Sequence, residues 1–289
     1  MESLAFDGKV AIITGAGGGL GRCHALDLAR RGAAVVINDL GTSVDGSGGS
    51  GPAADAVVAE IVAAGGSAVA NGDSVASAAG GAAIVQSALD AFGRVDIVIN
   101  NAGILRDAAF KNMTPELVDP VIDVHLKGAF NVTKAAWPHL SEQGYGRIIN
   151  TSSGSGIFGN FGQANYGAAK MGIVGLTQVL AIEGARKGIT VNAIAPIART
   201  RMTEELMGDL GASLDPELIS PLVTYLAHES CTRSGHIYSV GGGKIARVFI
   251  GVTPGRTDRD LTAESVAATI DEIDDPEGYA IRGALLGQS

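Results

Sequence analysis

The sequence contains few cysteines, few aromatic residues and no run of basic residues. Two cysteines, Cys23 and Cys231, are too few for a disulfide framework and predict a reduced, cytoplasmic setting. The net charge of −9, with no cluster of Lys and Arg, argues against nucleic-acid binding. The longest apolar stretch, residues 171–182, is amphipathic and too short to span a bilayer, and the N-terminus lacks the basic segment of a signal peptide. We therefore expect neither membrane association nor a metal site.

Small and aliphatic residues dominate instead. Hydrophobic residues make up 46% of the 289 residues and aromatic residues only 4%, so the core must be built from Ala, Val, Ile and Leu. The 42 glycines follow no period and cluster near the ends of apolar segments, which indicates tight turns. The length suits one large α/β domain.

Short apolar segments alternate with helical patterns along the chain. The predicted strands are residues 9–14, 33–38, 67–70, 95–100, 147–152, 189–194 and 236–240. The predicted helices are residues 20–31, 53–64, 76–92, 115–140, 165–186, 203–208 and 216–228. Because the strands lack alternating polar residues, both faces of the sheet should be covered. This order predicts a doubly wound, Rossmann-like α/β fold with a parallel sheet.

The character of the chain changes near its C-terminus. We predict one domain for residues 1–243 and a C-terminal extension for residues 244–289, with one helix at 262–273. Within the domain, residues 41–51 read GTSVDGSGGSG, a composition that predicts a flexible loop.

A glycine-rich turn follows the first predicted strand and opens the first helix. Its sequence TGAGGGLG contains Gly15, Gly19 and Gly21, with Leu20 between the last two. In this setting glycines allow the backbone to approach a pyrophosphate, whose charge is attracted to the helix N-terminus. The turn alone is weak evidence, but its place between strand and helix favours a dinucleotide site.

Asp39 stands at the end of the second predicted strand, 18 positions after Gly21. An acidic residue there hydrogen-bonds the ribose hydroxyls of the adenosine and repels a 2′-phosphate. Position 18 is Gly and position 40 is Leu, so no neighbouring cation would hold that phosphate. The sequence therefore predicts NAD as the cofactor in preference to NADP.

Tyr166 and Lys170 are four positions apart on a predicted helix and should share one face. Ser153 ends a predicted strand 13 residues earlier and is favoured over its neighbours Ser152 and Ser155 on spacing. A Lys ammonium about 4 Å from the phenol contributes roughly 4 kcal/mol at an effective dielectric of 20. That would lower the Tyr pKa by about 3 units from its usual value near 10. Tyr166 could then accept an alcohol proton while hydride leaves for the cofactor, with Ser153 bonding the developing carbonyl.

These motifs resemble those of the short-chain dehydrogenase/reductase family. The likeness runs from about residue 8 to residue 240 and rests on TGAGGGLG, the Asn-Asn-Ala-Gly at 100–103, Ser153 and the YGAAK segment at 166–170. The family implies about seven parallel strands, a homodimer or homotetramer, and a nicotinamide cofactor also contacted by Tyr166 and Lys170. It implies further cofactor contacts from Asp73, Ser74, Asn101, Ala102, Gly103, Asn192, Pro196 and Ile197. Most members have Gly where this chain has Ile197.

A narrower group within the family is also similar. Residues 38–41 (NDLG), 100–107 (NNAGILRD) and 155–166 (SGIFGNFGQANY) resemble the (3R)-hydroxyacyl-CoA dehydrogenase domains of peroxisomal multifunctional enzymes type 2. The segments HLKGAF and LAIEG and the C-terminal extension fit as well. The resemblance implies an acyl-CoA or sterol substrate and a stand-alone bacterial-type relative, since the hydratase and sterol-carrier domains are absent.

His125 occupies the place where most of the family has a catalytic Asn. The role of that Asn runs largely through its backbone carbonyl and a held water, which His125 could retain. We hypothesise that His125 tolerates substitution better than Tyr166; the alternative is a core histidine between helices.

Phe130 and Trp137, on the same predicted helix, are expected in the core or at a subunit interface. Residues 199–207 are predicted to form a lid over the substrate.

Three functions stay open at this point. The first is an NAD-dependent 3-hydroxyacyl-CoA or 17β-hydroxysteroid dehydrogenase. The second is an NADPH-dependent 3-oxoacyl carrier-protein reductase, which Asp39 opposes. The third, a nucleotide-sensing protein without catalysis, is opposed by the presence of Ser153, Tyr166 and Lys170 together.

Overall fold

The computed structural model describes residues 3–49, 52–198 and 214–281. By its internal contacts the chain divides into two compact units, Met1–Arg247 and Val248–Ser289. No helix in the described ranges is long and apolar enough to cross a membrane. The predicted lid at 199–207 and the predicted helix at 203–208 lie outside the described residues.

Eight strands form one sheet in the first unit. They are β1 (Val10–Thr14), β2 (Ala34–Asn38), β3 (Ser67–Asn71), β4 (Ile97–Asn100), β5 (Gly146–Thr151), β6 (Ile189–Pro196), β7 (Ile237–Gly241) and β8 (Lys244–Val248). Their order is β3-β2-β1-β4-β5-β6-β7-β8. The first seven pair in parallel, with registers such as Ile12 opposite Val36 and Ile149 opposite Asn192. The predicted doubly wound parallel sheet is confirmed.

The last strand was not predicted. The resemblance implied seven strands, and residues 244–289 were expected to form an extension beyond the sheet. Instead, Gly242 and Gly243 adopt φ values of +54° and +76° and turn the chain directly into β8, which pairs with β7. Such positive φ values suit glycine and the short turn of an antiparallel hairpin.

Nine helices of the described residues accompany these strands. They are α1 (Gly19–Arg30), α2 (Ala53–Ala63), α3 (Ala78–Phe92), α4 (Pro115–Ile122), α5 (Gly128–Glu142), α6 (Gly154–Phe158), α7 (Ala164–Gly184), α8 (Ser220–Ala227) and α9 (Ala263–Asp274). Those of the first unit cover both faces of the sheet. Along β1, Ala11 and Ile13 pack in one apolar cluster and Val10 and Ile12 in another, which is the arrangement that the strand pattern predicted.

The predicted helix 115–140 is interrupted. Its first part, α4, carries Pro120 inside, and a π-helical turn at Asp123–Lys127 separates α4 from α5. A π-turn inserts one extra residue into a helix and is often found at functional sites. Here the turn carries His125, whose side chain is buried. Neither the π-turn nor the short helix α6 after β5 was predicted from the sequence.

The second unit is small and lacks a buried residue in its described part. A single antiparallel bridge joins Val252 to Ala280, and the rings of Phe249 and Tyr279 stack with centroids 5.7 Å apart. Helix α9 begins with a reciprocal cap between Thr262 and Ser265.

Candidate active site

A cavity of about 330 Å³ opens at the carboxyl ends of the central strands. In doubly wound sheets this edge, where the strand order reverses, is where ligands bind. The strand order places that reversal between β1 and β4. Predicted cofactor residues line the cavity: Gly15, Gly19, Leu20, Asp39, Asp73, Ser74, Asn101, Ala102 and Gly103.

The glycine turn forms a cradle that side chains would fill. Gly15 has a φ of +64°, and a Cβ there would lie 2.7 Å from the Cα of Ala102. A Cβ on Gly21 would lie 2.7 Å from Nδ2 of Asn101. Gly21 does not line the cavity. Its lack of a side chain instead lets the turn pack closely against Asn101. These features fit a dinucleotide pyrophosphate at the N-terminus of α1.

Asp39 is held in place at the mouth of the same cavity. Its Oδ2 accepts a hydrogen bond from the backbone N of Gly17 at 2.8 Å, and its Oδ1 accepts one from Gly41 N at 2.7 Å. An ionised carboxylate has about four acceptor positions, so two backbone donors leave capacity for ribose hydroxyls. The arrangement fits the adenosine end of an NAD-type cofactor.

Hydrogen bonds hold residues 43–47 of the glycine-rich loop after Asp39 in place. Leu105 donates its backbone N–H to Val44 O at 2.9 Å, and Ser43 Oγ donates to Asp45 Oδ1 at 2.5 Å. Arg106 donates from Nε to Asp45 O at 2.9 Å and from Nη1 to Glu116 O at 2.7 Å. Residues 105 and 106, 61 positions away in sequence, therefore hold this part of the loop at the cavity, a contact that its composition does not show.

We expect Arg106→Gln to weaken cofactor binding about tenfold and to leave kcat nearly unchanged. The loop that it fastens lines the cavity through Thr42, Ser43, Val44 and Gly46, and Arg106 lines it too. The substitution removes two hydrogen bonds of about 1 kcal/mol each, one to Asp45 O in the loop and one to Glu116 O in α4. Titration of NADH fluorescence measures the effect. Arg186→Gln, which removes an exposed guanidinium at the far end of α7, is the control. An unchanged NADH affinity in Arg106→Gln would contradict the expectation.

Ser153, Tyr166 and Lys170 come together outside the lining of this cavity, and Lys170 lines a small neighbouring cavity together with Ala102 and Val124. Ser153 caps α6 by accepting a hydrogen bond from Ser155 N at 3.2 Å, and its side chain lowers the pKa of Tyr166. Lys170 Nζ lies 5.5 Å from the centroid of the Tyr166 ring and donates to Thr151 O at 2.6 Å. Ser152, the neighbouring serine, instead donates its hydroxyl to Lys170 O at 2.8 Å.

The electrostatics of this group differ from the expectation. Burial raises the pKa of Tyr166, the hydrogen bond with Ser153 lowers it, and the charge of Asp107 raises it further. Burial also lowers the pKa of Lys170 to about 7. The prediction that Lys170 lowers the pKa of Tyr166 by about 3 units is thus not met in the protein alone, because the buried ammonium is itself disfavoured. A bound, positively charged nicotinamide would supply charge that favours the phenolate.

His125 packs against Tyr166. The two rings meet edge to face with centroids 5.1 Å apart, and His125 Nε2 lies 2.8 Å from Ile104 O. Its ring fills the space beside Gly103, where any Cβ would collide with it. Burial, and then the charge of Lys170, lower the pKa of His125. The neutral imidazole therefore braces both Tyr166 and the segment that lines the cavity.

Three residues that the resemblance implied as nicotinamide contacts lie on or just after β6. Pro196 pairs with Val240 in the sheet, and Ile197 is half exposed beyond it. Neither lines the cavity as the structure describes it. Asn192 is buried in mid-strand, where its Nδ2 donates to Arg233 O at 2.7 Å. The expectation of a nicotinamide contact is therefore wrong for Asn192, whose amide anchors the approach to β7.

Several residues that organise the site were not singled out from the sequence. Asn165 donates from Nδ2 to Arg106 O at 2.8 Å and to Leu117 O at 2.7 Å, while its Oδ1 accepts from Tyr166 N. Thr14 Oγ1 accepts from the backbone of Asn101 and Ala102. Asn165 immediately precedes Tyr166, and Thr14 is the first residue of the TGAGGGLG segment. Their positions beside these motifs are the signal by which the sequence could have identified them.

Comparison with known proteins gives the family. A short chain dehydrogenase family model matches residues 9–210. The chain belongs to the short-chain dehydrogenase/reductase family. It is therefore an oxidoreductase, and members of this family use nicotinamide cofactors.

Individual relatives support the narrower resemblance. A putative short-chain type dehydrogenase/reductase of Mycobacterium tuberculosis is 51% identical over 96% of this chain and 98% of its own length. Peroxisomal multifunctional enzyme type 2 of Mus musculus is 51% identical over 94% of this chain. The structure of full-length peroxisomal multifunctional enzyme type 2 from Drosophila melanogaster aligns with a TM-score of 0.82 at 41% identity over 98% of this chain. This chain spans only 37% of the mouse protein and 48% of the Drosophila chain.

Proposed function

We propose that this protein oxidises (3R)-hydroxyacyl-CoA thioesters to 3-oxoacyl-CoA with NAD. The observation that carries the reaction type is the grouping of Ser153, Tyr166 and Lys170 beside a glycine-cradled cavity with Asp39 at its mouth. The similarity to multifunctional enzymes type 2, which extends over nearly the whole chain, supports the substrate class.

In this proposal the chain's own groups handle the proton. Tyr166 accepts the hydroxyl proton of the substrate, and Ser153 donates a hydrogen bond to the oxygen that becomes a carbonyl. Lys170 would bind the cofactor ribose, while Thr151 O orients its side-chain nitrogen. The bound nicotinamide supplies the hydride acceptor.

A substrate panel tests the proposal. NADH absorbance would be followed with (3R)- and (3S)-hydroxyacyl-CoA of several lengths, a 17β-hydroxysteroid and a simple secondary alcohol, each with NAD and with NADP. We expect turnover of the (3R) thioesters with NAD. Turnover of the steroid alone would make the protein a hydroxysteroid dehydrogenase, and a preference for NADP would contradict the role of Asp39.

We also propose that the protein forms a homo-oligomer through α5 and α7. Phe130, Val179 and Ile182 on these helices are 51%, 53% and 78% exposed, and a groove between the helices is bordered by Trp137. Apolar area of this kind favours a subunit interface. Light scattering after gel filtration would distinguish monomer, dimer and tetramer.

A cytoplasmic location stays a prediction, since several relatives carry peroxisomal names.

A further inference from the structure

Three phenylalanines near the catalytic tyrosine are unusually exposed. Phe110, Phe158 and Phe161 are 81%, 78% and 90% exposed, whereas Phe6 in the core is 2% exposed. We call these three side chains the phenylalanine rim. Single exposed apolar residues need no explanation, but a concentration of large ones around a site indicates a binding surface.

The rim stands on two segments that are fastened to each other. Ala108 donates its N–H to Gly162 O at 2.9 Å, and Gln163 Nε2 donates to Asp107 Oδ2 at 2.7 Å. Phe110 follows Ala108 by two residues, and Phe161 directly precedes Gly162. Phe110 and Phe161 therefore belong to one paired structure.

The same segments carry the catalytic groups. Phe158 is the last residue of α6, the helix that Ser153 caps. Phe161 stands five positions before Tyr166, at the entry to α7. Asp107, which is bonded to Gln163, acts electrostatically on Tyr166. The segments that carry the rim are thus the ones that carry Ser153 and lead into Tyr166, next to which the reacting carbon of a substrate must sit.

The fold itself does not require aromatic residues at these positions. Gly159 and Gly162, with φ values of +79° and +81°, set the backbone around Phe161. The side chain of Phe161 contributes little buried area, so a polar residue there would serve folding equally well. We therefore infer that a bound molecule covers this apolar surface when the protein functions.

We propose that the phenylalanine rim binds the apolar acyl chain of the substrate and sets the preference for chain length. This inference rests on the proposed function. In a 3-hydroxyacyl thioester the reacting carbon is the third of the acyl chain, so the remaining carbons must leave the site close to Tyr166. Each methylene that the rim covers should raise kcat/KM about fourfold.

Serine variants and two chain lengths test the rim. Phe161→Ser and Phe110→Ser would be compared with wild-type protein on 3-hydroxyacyl-CoA of four and sixteen carbons, with NAD present. We expect kcat/KM for the long substrate to fall about tenfold and that for the short one to change less than twofold. Val62→Ser, which removes an exposed apolar side chain from α2 near the opposite edge of the sheet, is the control. Equal loss on both substrates, or no loss on either, would overturn the inference.

A binding measurement separates this inference from the proposed function. Calorimetry with saturated acyl-CoA of sixteen and four carbons, in the presence of NADH, needs no turnover. If wild-type protein oxidises no thioester, and the rim variants bind the sixteen-carbon acyl-CoA more weakly than wild-type protein does, the proposed function fails and the rim inference stands. If the variants bind the long chain as wild-type protein does, the rim inference fails. A change from oligomer to monomer in the variants would make the rim an interface between copies and would also overturn it.

Discussion

Tyr166→Phe is expected to lower kcat by 10²- to 10⁴-fold, the range typical of losing a general acid–base group. The substitution removes only the hydroxyl, so the edge-to-face contact with His125 and the burial of the ring are retained. Cofactor affinity should therefore change little. Steady-state kinetics with the best thioester and titration of NADH fluorescence measure the two effects separately.

Tyr145→Phe is the matched control for this prediction. The hydroxyl of Tyr145 is buried with no hydrogen-bond partner among the described residues, and Lys9 and Arg147 lie over its ring, at the edge of the sheet where the strands begin. Its loss should leave kcat unchanged. A kcat in Tyr166→Phe within fivefold of wild-type protein would contradict the assignment of Tyr166 as the group that transfers the proton.

His125→Ala should be less harmful than Tyr166→Phe. The His125 ring braces Ile104 and Tyr166 but has a pKa that burial holds low, so it is not available as a proton donor near neutral pH. We expect kcat to fall by about tenfold through loss of packing. A loss as deep as that of Tyr166→Phe would show that the side chain takes part in the chemistry.

The sequence predicted seven strands of a doubly wound parallel sheet because each is a short apolar run with no polar alternation. That order also explains why Gly15, Asp39 and Asn101 could be assigned to one site in advance. They follow β1, β2 and β4, and the carboxyl ends of adjacent parallel strands meet at one edge. The prediction that Tyr166 and Lys170 share one face of a helix required only the helical repeat.

The features that escaped prediction depend on contacts between distant segments. Residues 43–47 look flexible by composition, but Leu105 and Arg106 hold them. The π-turn at Asp123–Lys127 lies in residues whose pattern predicted one continuous helix, and that pattern does not show where a single residue is inserted. The pKa of Lys170 depends on its burial, which a pattern of side chains along one helix does not reveal.

Asn165 illustrates how these distant contacts shape the site. Its amide joins the backbone after β4 to α4, and its carbonyl receives the N–H of Tyr166. The start of α7, and with it the position of the catalytic hydroxyl, is therefore tied to the wall of the cofactor cavity. Burial at 3% exposure makes these bonds strong determinants of position.

Lys170→Met is expected to abolish activity and, at the same time, to stabilise the cofactor-free protein at neutral pH. Burial lowers the pKa of Lys170 from 10.5 to about 7, which corresponds to about 5 kcal/mol at most. Met fills the buried space without a charge, although it loses the hydrogen bond to Thr151 O. We expect a net gain of about 2 kcal/mol in the free energy of unfolding at pH 7.

The pH dependence distinguishes this cause from improved packing. Between pH 7 and pH 10.5 the unfolded state binds the Lys170 proton more tightly than the folded state, so wild-type protein gains stability as the pH rises through that window. The advantage of Lys170→Met should therefore shrink between pH 7 and pH 9.5 in urea unfolding. Lys244→Met, at an exposed lysine outside the proposed subunit interface, should show no such change. A pH-independent difference for Lys170→Met would mean that the buried ammonium is not what destabilises the site.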